Sequence, residues 1–177
     1  MRMRHAAALR FVAWFLVMPI PAAAQDRPRP MVEAVVGSSG FVDEVMDRFL
    51  TVGAGARWFV TPRVAIGPEI VAQRGEHDAS NLTVTGNVTV DFIGDEPGRR
   101  VVPYVAAGAG YLRQRTIVGS GPGSTVRQPF TSSEGTLSGG LGVRVALGRR
   151  FFVAPEFRLG WEPEIRMTVM IGMRPGH

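Results

Sequence analysis

The segment Thr136-Leu137-Ser138-Gly139-Gly140-Leu141-Gly142-Val143-Arg144-Val145-Ala146-Leu147, with its continuation to Met173, decides how the chain is read. Leu137, Leu141, Val143, Val145 and Leu147 take the odd positions, while Thr136, Ser138, Gly140, Gly142 and Arg144 take the even ones. A two-residue period of this kind predicts a strand with one apolar face. After Gly148-Arg149-Arg150 it resumes, with Phe151, Val153, Phe157, Leu159 and Trp161 opposed to Ala154, Glu156, Arg158 and Gly160. Beyond Glu162-Pro163 it returns again, setting Ile165, Met167, Val169, Ile171 and Met173 against Glu164, Arg166, Thr168 and Gly172. Three antiparallel strands joined by short turns predict part of a closed barrel.

Upstream, the same alternation predicts five more strands. Met31 to Phe41 sets Val32, Ala34 and Val36 against Glu33, Val35 and Gly37. In the second strand Leu50, Val52, Ala54, Ala56, Trp58 and Val60 oppose Thr51, Gly53, Gly55 and Arg57, and Thr61-Pro62-Arg63 makes a tight turn. The third puts Val64, Ile66, Ile70 and Ala72 opposite Ala65, Gly67, Glu69 and Gln73. The fourth opposes Leu82, Val84, Val88, Val90 and Phe92 to Thr83, Thr85, Asn87, Thr89 and Asp91, and the fifth runs from Val101 to Leu112. Asp43 to Arg48, Gly75 to Asn81 and Gly94 to Arg100 are expected as connections, and Arg113 to Glu134 as the longest irregular stretch. Pro68 and Pro155 fall inside strands, where each removes a ladder donor and predicts a bulge or local break. The total is even, and strands of about ten residues suit a tilted membrane strand.

At 177 residues with 22 glycines, one strand-rich domain is expected. Residues Met1 to Ala24 read as a secretory signal: Arg2, Arg4 and Arg10 flank the apolar run Phe11 to Ile20, and Ala22-Ala23-Ala24 precede a cut before Gln25. A short leader, 25–30, and a barrel domain, 31–174, follow. All 20 basic residues are arginine, and removing the signal leaves 17 against 15 acidic residues. That near balance and the lack of a long basic run argue against nucleic acid as a partner. With no cysteine there are no disulfides. No stretch of the predicted mature chain is long and apolar enough to cross a membrane as a helix.

A soluble barrel with an oily interior shares this alternation, so the polar face must separate the two. Here it mixes Gly, Ala and Thr with isolated charges of both signs, which suits the crowded lumen of an eight-stranded barrel. Glu33, Glu69, Asp91 and Glu156 are expected to pair there with Arg57, Arg144, Arg158 and Arg166. Arginine tolerates desolvated pairing with carboxylates better than lysine does. The opposite face is nearly free of charge, as expected of a wall facing lipid. On it Trp58, Phe92, Tyr111, Phe151 and Trp161 lie near strand ends, where interfacial girdles belong.

Val102-Pro103-Tyr104-Val105-Ala106-Ala107-Gly108-Ala109-Gly110-Tyr111, the glycine-bearing run Leu137 to Leu147 and the closing strand together resemble the small eight-stranded outer-membrane β-barrels of Gram-negative bacteria, the class that includes the OmpA barrel. The resemblance implies an all-β, up-and-down transmembrane barrel in the outer membrane, reached through the export and barrel-assembly machinery, monomeric and in contact with outer-membrane lipid. It implies a non-enzymatic structural, surface-contact or narrow-pore role without cofactor or metal. Such barrels usually end on an aromatic residue, whereas this chain ends Met173-Arg174-Pro175-Gly176-His177, a departure that bears on assembly rather than fold. The best catalytic candidate is His77 with Ser80 and Glu76, which faintly resembles the His-x-Ser-Asn element of barrel enzymes that deacylate lipopolysaccharide. Its serine is three residues from the histidine rather than two, so an extended strand would point the pair to opposite sides.

Overall fold

The structure, a computed structural model, describes residues 30–41, 48–75, 79–93, 99–119, 127–161 and 164–174. The predicted signal and most of the leader lie outside these residues, as do Glu76 and His77. Eight strands follow in chain order: β1 Met31–Phe41, β2 Arg48–Phe59, β3 Val64–Arg74, β4 Ser80–Asp91, β5 Val101–Gly119, β6 Arg127–Leu147, β7 Phe151–Gly160 and β8 Glu164–Met173. Each pairs antiparallel with its chain neighbours, and β8 closes on β1. Followed around the wall from Met31 through Asn87, Gly108 and Ser138, the register returns to β1 at Phe41, ten residues further along. A closed barrel needs such a stagger, because strands that tilt against the axis meet their first neighbour displaced.

The alternation sorts residues as the pattern predicts. On β4 Asn81, Thr83, Thr85, Asn87, Thr89 and Asp91 are buried in the lumen, while Leu82, Val84, Val88 and Val90 are exposed on the outer wall. Leu82 to Phe92 covers about 34 Å of strand, and a tilt near 40° turns that into a belt about 26 Å tall, the height of a membrane barrel's apolar band. A soluble barrel with an apolar interior is therefore excluded.

The two prolines break the ladder without a bulge. β2 and β3 pair at Gly55↔Glu69 and again at Trp58↔Ile66 in the same register, with the ladder interrupted opposite Pro68. β6 and β7 behave likewise between Gly142↔Glu156 and Val145↔Val153, opposite Pro155. Because the register is unchanged, no residue has been inserted. At the end of the barrel that carries the termini, the β2–β3 and β6–β7 turns are short. In one, Val64 N donates to Thr61 Oγ1 at 2.9 Å. In another, Gly148 adopts φ +85°, a conformation that favours glycine.

The segment Arg113 to Glu134 departs from expectation. Most of it is strand: β5 continues to Gly119 and β6 begins at Arg127, paired from Gly119↔Arg127 downward. β5 and β6 have 19 and 21 residues, against 10 to 12 for the others. The ribbon rises past its neighbours, since β4 stops pairing at Ser80↔Arg115 and β7 at Ser138↔Gly160. A strand that leaves the membrane has water on both faces, so it loses the apolar period by which strands are found. Smaller differences lie at strand ends, with β2 starting at Arg48 and β4 at Ser80.

Candidate functional site

Successive luminal positions on a strand are two residues apart, so charges on different strands meet only where closure brings their levels together. Glu33 on β1, Arg57 on β2, Glu69 on β3, Glu156 and Arg158 on β7 and Arg166 on β8 all point into the lumen and are buried. They form a chain of alternating sign. Arg57 Nε donates to Glu33 Oε1 at 2.7 Å, and its Nη2 lies 3.7 Å from Glu156 Oε2. Arg158 Nε donates to Glu156 Oε1 at 2.5 Å, and its Nη2 faces Glu69 Oε2 at 3.6 Å. Arg166 Nη2 donates to the other Glu69 oxygen at 2.7 Å. Arg158 Nη2 and Glu69 Oε2 both lack a hydrogen bond, and they are each other's ion-pair partner just outside bonding reach.

A second cluster sits nearer the end with the termini. Arg144 Nη1 donates to Asp91 Oδ2 at 3.1 Å, and Nη2 approaches Oδ1 at 3.5 Å. The Arg144 guanidinium lies 5.3 Å from the centroid of the Tyr104 ring, 5.7 Å from that of Phe59 and 5.8 Å from that of Phe152, within cation–π range of all three. Tyr104 joins the clusters, because its hydroxyl donates to Glu156 Oε2 at 3.0 Å. Neutral groups complete the shell: Asn87 Oδ1 accepts from Arg158 Nη1 at 2.6 Å and Thr89 Oγ1 from Arg57 Nη1 at 2.6 Å.

All eight charges expected in the lumen are brought together there. Four arginines face four carboxylates, so the network is formally neutral. That balance matters, because an unmatched ion out of water costs several kcal/mol. Sequence alone does not mark out as partners Phe59, Phe152, Asn87, Thr89 or Met170, whose sulfur accepts from Arg57 Nη2 at 3.2 Å. Their parity with the charged residues is the signal that could have found them. A void lined by Thr83, Thr85, Thr136, Ser138, Arg158, Gly160, Glu164 and Arg166 measures about 10 Å³, room for about one water. Beyond it Gln73 Nε2 donates to Glu164.

On the outer wall, Trp58, Phe92, Tyr111, Phe151 and Trp161 are all exposed, from 45% for Trp58 to 71% for Trp161. Trp58, Phe92 and Phe151 lie towards the end with the termini, Tyr111 and Trp161 towards the other. Ser80 opens β4 and faces outward; His77 and Glu76 lie outside the described residues, so the catalytic candidate has no described geometry. No group of acidic and histidine side chains able to hold a metal is present among the described residues.

No family model matches the sequence, and no curated protein matches it either. Solved structures do. Neisserial surface protein A (NspA) superposes with a TM-score of 0.68 at 11% identity, covering 85% of this chain and 100% of its own. The N-terminal β-barrel domain of Pseudomonas aeruginosa OprF gives 0.57 at 14% identity, covering 84% and 98%. The chain has the fold of the small eight-stranded outer-membrane β-barrels. Ail, the attachment invasion locus protein of Yersinia pestis, adds a third likeness at 0.51 and 13% identity, covering 82% and 95%. At these identities the likeness is one of fold, and it extends to the transmembrane barrel architecture that the outward apolar wall already requires.

Proposed function

We propose that the protein is a non-enzymatic outer-membrane barrel whose lumen is a structural core and whose working part is the β5–β6 ribbon displayed at the cell surface. The observation that carries this reading is the contrast between the two. The lumen is packed with mutually neutralising ion pairs and large side chains such as Arg158, Tyr104 and Phe152, whereas two strands continue well past the belt. Membrane barrels place short turns in the periplasm and longer connections outside, which puts the ribbon outside and the Thr61–Arg63 and Gly148–Arg150 turns within. The names of two structural neighbours, a surface protein and an attachment invasion locus protein, agree with a surface role. Outer-membrane lipid and the export and assembly machinery are its partners in this reading, and the barrel works as a monomer without a cofactor.

Three measurements test it. The protein should sediment with outer membranes and migrate faster on gels unheated than boiled. Protease added to intact cells should cut the ribbon and leave the barrel. Purified protein should be electrically silent in planar bilayers, because a passage filled by salt-bridged arginines offers no route for hydrated ions. Recovery in the soluble periplasmic fraction would sink the membrane reading; steady conductance steps would replace the structural core with a pore.

A further inference from the structure

The outer wall carries a feature that neither the luminal network nor the ribbon accounts for. At the end of the barrel opposite the termini, the register sets Leu50, Arg74, Ser80 and Arg115 side by side on β2, β3, β4 and β5. The next level down sets Val52, Ala72, Leu82 and Arg113 in the same order. All three arginines point outward and are exposed, and no ion-pair partner for them is present among the described residues. Together with Leu50, Val52, Ala72 and Leu82 they line an open groove of about 670 Å³. Arg113 and Arg115 are separated by about 7 Å along one strand, and Arg115 and Arg74 by about 10 Å across two strand spacings. Two strands therefore bring three guanidinium side chains to one groove.

Position gives the patch its meaning. Arg113 shares its level with Leu82 and lies one level above Tyr111, so the charges sit on the rim of the apolar belt. Water alone would suit a snorkelling arginine there, but three arginines over an apolar groove match an amphiphile with clustered negative charge. Arginine forks bind phosphate oxygens in pairs, and the apolar side of the same groove, at Leu50, Val52, Ala72 and Leu82, can take hydrocarbon. We infer that Arg74, Arg113 and Arg115 form a binding site for the phosphorylated headgroup of a multiply acylated glycolipid in the outer leaflet, with acyl chain laid along Leu50, Val52 and Leu82. This rests on the outer-membrane reading, which sets that end of the belt at the outer leaflet.

The test uses the folded full-length protein in detergent micelles, titrated with bis-phosphorylated lipid A and, separately, with the same lipid lacking phosphate. Arg74→Gln, Arg113→Gln and Arg115→Gln are combined in one variant. Arg149→Gln with Arg150→Gln, at the opposite end, serves as control. At about fivefold per arginine near a charged lipid surface, the triple variant should lose affinity by about a hundredfold, and the dephosphorylated lipid should bind correspondingly more weakly. The control should bind within about twofold of the parent. Equal affinity in parent and triple variant, equal loss in the control, or full competition by millimolar inorganic phosphate, the mark of a site for free anion, would each overturn the assignment. Flotation of every variant with lipid vesicles and its heat-modifiable migration are scored in parallel. A variant that binds normally while floating normally refutes the lipid site alone, whereas a parent that does not float refutes the membrane reading.

Discussion

Removing Arg158 tests the luminal network where it is most connected. The side chain is 1% exposed and joins Glu156, Glu69 and Asn87, three groups from three strands. Breaking a buried ion pair by deleting one partner costs about 3 to 5 kcal/mol, because the remaining charge stays buried. In Arg158→Ala neither carboxylate is stripped bare, since Glu156 keeps Arg57 and Tyr104 while Glu69 keeps Arg166. The loss should therefore sit at the low end, about 3 kcal/mol, with the lumen left one negative charge in excess. At about 1 to 3 kcal/mol per molar urea, this moves the unfolding midpoint down by about 1 to 3 M.

The assay is reversible urea unfolding in lipid vesicles, followed by tryptophan fluorescence and by the heat-modifiable gel shift. A double-mutant cycle with Glu156→Gln isolates the pair, and contacting residues in one network should show coupling of about 0.5 to 3 kcal/mol. Exposed Arg115→Ala serves as the control and should stay within about 0.5 kcal/mol of the parent. Coincident midpoints for Arg158→Ala and the parent, or zero coupling in the cycle, would show that the lumen is hydrated enough to make its pairing immaterial.

Four further outcomes follow from the same geometry. Val88→Arg, at mid-belt, should cost about 2 to 4 kcal/mol and Val60→Arg, near the inner turn, about 0 to 1, measured by the same unfolding assay; equal costs would contradict the placement of the belt. Gly142→Ala should destabilise by about 1 to 3 kcal/mol, since its Cβ would fall on the Tyr104 ring, whereas at Gly139 a Cβ meets only the Ala106 carbonyl oxygen at 4.0 Å and Gly139→Ala should be nearly neutral. Fluorescence from Trp58 and Trp161 should be quenched by lipids brominated along the acyl chain, and resistance to quenching by both would turn the wall around. Replacing Glu156 and Arg158 together by leucine should leave stability within about 1.5 kcal/mol yet yield more than one folded band on unheated gels, and a single band would show that the pair does not hold the register of β7.

Much of the barrel is legible in the sequence because each belt strand faces lipid on one side and a charged lumen on the other, so hydropathy flips at every residue. Leu82 to Asp91 is the plainest case. The same rule fails from the rim of the belt outward: Arg113, Gln114 and Arg115 pair with Ser133, Ser132 and Thr131 as regularly as any belt residues, but with no apolar face to reveal it. The luminal charges are legible as a set, since each stands alone among small residues. Their pairings are not, because Arg166 reaches Glu69 from 97 positions away and only closure of β8 on β1, with its ten-residue stagger, brings them level. Phe59 and Phe152 are hidden by their neighbours, as Trp58 and Phe151 beside them carry the outward aromatic signal.

Eight buried charges are a costly way to fill a small barrel, since an apolar filling of equal volume is often as stable. What an apolar filling lacks is a way to tell inside from outside. In β7, Phe157 and Leu159 alternate with Glu156 and Arg158, and a slip of one residue exchanges the two sets. With charges present, that slip carries Glu156 and Arg158 into lipid, and at up to about 2 to 4 kcal/mol for an arginine at mid-depth and somewhat less for a carboxylate it spends a large part of a typical folding free energy of about 5 to 15 kcal/mol. Asn87 Oδ1 and the Tyr104 hydroxyl, left without Arg158 and Glu156, add to the penalty. The same charges that draw seven strands together across the lumen therefore also hold each strand in the one register that seals it. A wall held in that register can carry a ribbon several residues beyond the membrane without depending on the ribbon for its own stability.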